Sequence, residues 1–115
     1  MTRDKGTPDG GAPDEGTVAA ADVPGLLRGG AILLDVREDD EWADGHAPEA
    51  IHLPMGQLSQ RAGELPKDRT IVCVCHLGGR SARVAQALNG AGWQALNLTG
   101  GMQAWMRAGL PVVGG

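Results

Sequence analysis

The chain has 115 residues, a net charge of −4 and an apolar content of 42%, with no Phe and no Tyr. That length allows one domain with at most a tail, and its core must be filled by Leu, Val, Ile, Ala, Met and three Trp. The acidic balance excludes a general nucleic-acid surface, and no apolar run approaches the roughly 20 residues of a membrane helix or forms a leader's apolar stretch, so neither nucleic acid nor membrane is expected as a partner.

Residues 1–16, rich in Gly, Pro, Asp and Glu, hold too little apolar surface to offset the entropy of ordering, and are expected to be a disordered tail before a domain over residues 17–113. Structure is expected from Thr17-Val18 onward. Asp22 to Arg28 reads as a short helix, with Pro24 in its first turn and Gly29-Gly30 as its stop. Ile32 to Val36 reads as a buried strand with Asp35 near its carboxyl end, the edge where open α/β sheets place ligands. Four acids, Glu38 to Glu41, open a second short helix and suit its dipole. Ala50 to Pro54 reads as a brief strand and Leu58 to Leu65 as a further short helix, closed by Pro66.

The stretch Thr70 to Arg83 has the most chemistry in it. Ile71-Val72-Cys73-Val74 is the pattern of a strand buried on both faces, and it ends at Cys75. His76-Leu77-Gly78-Gly79-Arg80 forms a glycine-bearing loop, and a helix is expected over 81–91, with Val84, Ala85 and Leu88 on its inner face. A cysteine at a strand end, before a tight loop and a helix start, faces unpaired backbone N–H groups that favour negative charge. A thiolate held there is stabilised and becomes a usable nucleophile at neutral pH. Arg80 and Arg83 add positive charge nearby, and the glycines let the amides turn inward.

Cys73 and Cys75 lie two apart on one expected strand, poorly placed for a mutual disulfide, which favours a reducing compartment and a cytoplasmic setting. Cys73 reads as inert core, with a resolving thiol as the alternative. No second Cys/His cluster completes a metal site around Cys-x-Cys-His, and no metal or cofactor is expected. A last strand is expected over Ala95 to Leu98, then a helix whose Met102, Trp105 and Met106 share a core-facing stripe. Strands alternating with helices predict an α/β fold, with a mainly parallel sheet and helices on both faces.

Cys75, Gly78, Arg80 and Ser81 fit the form Cys-x-x-Gly-x-Arg followed by Ser. In this the sequence resembles the rhodanese domain, a sulfurtransferase module. Asp35-Val36-Arg37-Glu38, Trp42, Gly45-His46, Ala50 and Leu53-Pro54 resemble the first signature of that family, although Glu49 stands where Gly is usual. Leu98, Gly100-Gly101-Met102 and Trp105, closing on Gly109 to Val112, resemble its C-terminal signature. The resemblance implies a five-stranded rhodanese-like sheet whose loop cradles the catalytic sulfur. It further implies sulfur transfer through a Cys75 persulfide, from thiosulfate or a related persulfide donor to cyanide in vitro or to a thiol or protein acceptor in vivo. On that reading His76, Leu77, Gly78, Gly79 and Arg80 bind substrate, and Asp35, Arg37 and Ser81 support the loop. Arg80 either acts on substrate or holds the loop by pairing with an acid, while Asp35 with Arg37 reads as a structural ion pair. His46 and His52 read as hydrogen-bonded structural residues, since a thiolate needs no general base.

Two other classes compete with this reading. A Cys-dependent phosphatase or arsenate reductase would share the Cys…Arg loop, but such phosphatases have one residue more between Cys and Arg than the four found here. A non-catalytic rhodanese-type interaction module is the other, and retention of Cys75 with the Gly and Arg of the loop argues against it.

Overall fold

A computed structural model of the chain describes residues 16–114. The tail expected over residues 1–16 lies outside these, apart from Gly16. Five strands form one sheet: β1 (Thr17–Val18), β2 (Ile32–Asp35), β3 (Ile51–His52), β4 (Thr70–Val74) and β5 (Gln94–Leu98). Their order is β1-β5-β4-β2-β3, and every neighbouring pair is parallel.

Four α-helices lie in the crossovers, α1 (Val23–Arg28), α2 (Asp39–Asp44), α3 (Leu58–Arg61) and α4 (Gly79–Gly90), and a fifth, α5 (Gly101–Arg107), follows the last strand. Parallel neighbours need such crossovers, and these bury both faces of the sheet. Alternation along β4 divides its side chains between two cores. Ile71 and Cys73 join Leu34, Val84, Leu88 and Ala95 on the α4 face, and Val72 and Val74 join Val23, Leu33, Leu98, Met102 and Trp105 on the α1 and α5 face. Trp105 is 1% exposed, and its indole N–H donates to the Pro111 carbonyl at 2.9 Å, so the large apolar ring is buried without an orphaned donor.

Three local expectations are corrected. Leu58 to Leu65 is one turn of α-helix followed by a 3-10 turn over Ala62–Glu64, because Gly63 and the approach to Pro66 interrupt the regular period. Helix α4 begins at Gly79, two residues before the expected start, directly after Gly78 takes φ +113°. Met106 is 52% exposed and is not part of the core. At 3.6 residues per turn, Gly101, Trp105 and Met102 fill one arc of α5, and Met106 lies about 40° beyond its edge.

Among the described residues no helix is long and apolar enough to cross a membrane. The carboxyl ends of β2, β4 and β5 lie side by side, since the Val36 N–H donates to the Val74 carbonyl at 3.0 Å and Cys73 is in register with Asn97. That edge carries the site.

Candidate active site

β4 delivers Cys75 to the sheet edge with the residue only 1% exposed. The next residues curl around its sulfur. The Gly78 N–H donates to Sγ at 3.1 Å and the Ser81 N–H at 3.4 Å, and the Ser81 Oγ lies 3.3 Å from it. Gly78 can aim its amide inward because φ +113° is open to glycine and strained for any residue with a side chain. Ser81, fully buried on the first turn of α4, brings both an amide and a hydroxyl.

Burial pushes the Cys75 thiol up. Against it act the Ser81 hydroxyl and the amides of Ser81, Gly78 and Arg80, and together they prevail, so the pKa lies below that of an ordinary cysteine. Cys73, two residues earlier on the apolar face of β4, has no such donors. Burial and the neighbouring Cys75 push it up to about 12, and it stays a thiol.

The loop is braced from three sides. Arg80 forms a two-pronged ion pair with Glu41 of α2, at 2.7 and 2.8 Å. That contact raises the Arg80 pKa and holds Glu41 down at about 2. The same Glu41 carboxylate accepts the Glu38 N–H at 3.0 Å and so caps its own helix. From α5, the Met102 N–H donates to the Cys75 carbonyl at 2.8 Å and the Gln103 N–H to the His76 carbonyl at 3.2 Å. From β5, the Asn97 side chain donates to the Gly78 carbonyl at 3.2 Å and accepts from the Ser81 hydroxyl.

The other residues singled out from sequence lie close by in different roles. Asp35 and Arg37, both buried, bond to each other, the guanidinium reaching Asp35 at 2.7 to 3.1 Å and the Gly45 carbonyl at 2.8 Å. His46 Nδ1 meets the Trp42 carbonyl at 2.9 Å and His52 Nε2 the Arg37 carbonyl at 2.8 Å, with the Trp42 ring stacked between the two imidazoles. His76 and Leu77 form the outer part of the loop, Leu77 60% exposed. Beside His76 opens a cleft of about 310 Å³, bordered by Arg37, Glu41, Met102, Met106 and Val112.

Two members of this constellation, Glu41 and Asn97, are not among the site residues singled out from the sequence. Glu41 was one acid among four, and only tertiary proximity marks it out. Asn97 had a usable signal, as a polar residue inside the otherwise apolar strand Ala95 to Leu98.

The Rhodanese-like domain family model matches residues 19–108. A sulfurtransferase of Allochromatium vinosum is 43% identical over 83 residues, which cover 71% of this chain and 78% of the relative. A rhodanese-related protein from Thermoplasma volcanium has the same fold, with a TM-score of 0.79 and 31% identity over 84% of this chain and 96% of its own. A thiosulfate sulfurtransferase from Pseudomonas aeruginosa superposes with a TM-score of 0.77 at 30% identity, over 86% of this chain and 20% of that longer protein. The matched span includes the cysteine cradle, the braces around it and all of the sheet except β1, and the chain belongs to the rhodanese-like domain family of sulfurtransferases.

Proposed function

We propose that this chain moves a sulfane sulfur from thiosulfate or a related persulfide donor to a thiophilic acceptor, with Cys75 carrying the sulfur as a persulfide. The single observation that carries the reading is the buried Cys75 sulfur at the end of β4, met by the Gly78 and Ser81 amides. Such a cradle lowers the energy of a thiolate and, one atom further out, of a persulfide anion.

In the first half-reaction the Cys75 thiolate attacks the outer sulfur of thiosulfate. A new S–S bond forms, the old one breaks, and sulfite leaves with its electron pair. The dianion's charge leaves with sulfite, and Cys75 keeps one negative charge on its outer sulfur. In the second half-reaction cyanide, or a thiol, attacks that outer sulfur, and the thiolate of Cys75 is released. No cofactor enters either step. His76 and Leu77 face the incoming donor, while Gly78 and Gly79 shape the amide cradle. Arg80 is committed to Glu41 and acts by holding the loop. Ser81 supports the sulfur directly, and the Asp35–Arg37 pair supports the neighbouring strand end. The partners are a small sulfur donor and a thiol or protein acceptor, in the cytoplasm, where the two free cysteines stay reduced.

The test is intact-protein mass spectrometry of the reduced protein after incubation with thiosulfate. Wild type and Cys73→Ala are expected to gain one sulfur atom, which cyanide then removes, and Cys75→Ser is expected to gain none. If no protein gains sulfur from thiosulfate or from a persulfide donor, the loop is not a sulfur site and the domain acts by binding alone.

A further inference from the structure

The fully buried Ser81 hydroxyl has one proton and three acceptors within reach. These are Asn97 Oδ1 at 2.5 Å, the Gly78 carbonyl at 3.3 Å and Cys75 Sγ at 3.3 Å. The Gly78 carbonyl fixes the orientation of the Asn97 amide. A carbonyl can only accept, so the amide nitrogen faces it at 3.2 Å and the amide oxygen is left facing Ser81. Two oxygens that close require a proton between them, so the hydroxyl donates to Asn97. The cysteine sulfur then meets a lone pair of Oγ. That suits a thiol or a neutral sulfur and opposes a thiolate.

We propose that Asn97 is a positioning residue that holds the Ser81 hydroxyl proton while the Cys75 sulfur is neutral and yields it when that sulfur becomes a thiolate. The inference rests on the persulfide reading above, in which Sγ is anionic before sulfur uptake and neutral afterwards, the charge having moved to the outer sulfur. Rotation about one C–O bond, with the Asn97 amide oxygen drawing back from its 2.5 Å contact once the proton has left it, gives the buried hydroxyl an acceptor in each half-reaction, so it is never left unsatisfied. No proton leaves the oxygen. β5 sets the geometry, since the Asn97 N–H donates to the Gly16 carbonyl at 2.8 Å while its Cα is in register with Cys73. Arg80 and Cys73 act electrostatically on Cys75 and His76 follows it in the chain, and among the described residues none of their side chains hydrogen-bonds to the Ser81 or Asn97 side chain.

The experiment is the pH dependence of Cys75 alkylation by iodoacetamide, with the modified site read by mass spectrometry. It uses no sulfur donor, so its outcome is independent of whether Cys75 transfers sulfur. Wild type, Asn97→Leu, Asn97→Ala, Ser81→Ala and the Ser81→Ala/Asn97→Leu double variant are compared, each checked for folding by circular dichroism. Removing the Asn97 oxygen frees the hydroxyl for the sulfur, so the apparent pKa falls and alkylation at pH 6 becomes about three-fold faster. Ser81→Ala shifts the profile the other way, and in that background Asn97→Leu changes nothing. Asn97→Ala gives the same sign as Asn97→Leu if the bulkier replacement does not fold. If both Asn97 variants raise the apparent pKa, or if their effect is the same with and without the Ser81 hydroxyl, Asn97 only braces the loop and the proposal is overturned.

Discussion

Glu41 and Arg80, thirty-nine residues apart in sequence, meet in a planar two-bond contact at 2.7 and 2.8 Å. The fork of the guanidinium matches the two carboxylate oxygens, a geometry that lysine cannot reproduce. Arg80→Lys is therefore expected to keep the charge and lose the brace. Glu41→Gln removes the brace from the other side. Both variants are expected to lower the rate of sulfur uptake by about 10- to 100-fold, since a loosened loop misplaces the amides around the sulfur. Steady-state thiocyanate formation measures this, and an undiminished rate in Arg80→Lys would show that charge alone is sufficient.

The same pair makes stability depend on pH. The Arg80 hydrogen bond holds the Glu41 pKa at about 2, below the 4.5 of a free glutamate. A depressed carboxyl pKa contributes stability that is complete above the unfolded value and is lost as pH falls through the folded one. Wild type is therefore expected to be more stable than Glu41→Gln at pH 7. The gap, on the order of 1 kcal/mol after solvent screening, narrows from about pH 4.5 downward and closes near pH 2. Urea denaturation across that range reads the difference.

The two cysteines are expected to separate cleanly. The rate of Cys75 modification rises with pH and reaches half its maximum at a lower pH than for an ordinary cysteine, because the thiolate is lost only as pH falls through a lowered pKa. Cys73, with its pKa pushed up to about 12, stays unmodified over the same range. Cys73→Ala keeps sulfur uptake and costs about 1–2 kcal/mol of stability through the small cavity it leaves in the α4 core.

Gly101 is the position least able to carry a side chain. It has φ +59°, and a Cβ there would run into the Cys75 and His76 carbonyls that α5 captures. Gly101→Ala is expected to push the helix away from the loop, abolish sulfur uptake and cost more than about 3 kcal/mol. Exposed Gly63, with open space around it, serves as the control, and Gly63→Ala leaves both activity and the thermal midpoint nearly unchanged.

Much of this site was legible from residue types in order. An apolar β-branched run that ends in Cys75, followed by Gly78-Gly79 and a helical period, marks a strand, a cradle and a helix start without any coordinates. The sequence marks Arg80 as a candidate brace but not its partner, since four consecutive acids look alike until α2 is placed against the loop. Asn97 stands out in the sequence as a polar residue in an apolar strand, but its partners do not. Its role depends on two bonds to residues 16 and 19 positions away, and no local pattern encodes those. Met106 differs for a third reason: a spacing of four residues from Met102 places it on the outer shoulder of a helix that buries only a narrow arc.

The sheet order has a further consequence for how the protein comes into being. Thr17 lies against Asn97, and among the described residues β1 is an edge strand paired with β5. As these residues emerge from the ribosome in turn, β1 cannot join the sheet until β5 arrives. The Ser81 hydroxyl likewise has no Asn97 to answer it, and the Cys75 and His76 carbonyls have no α5 to hold them. A nascent chain that has already exposed Cys75 thus holds a cysteine without its full setting, and completion of the sheet and completion of the reactive centre both wait on one segment, β5 with α5.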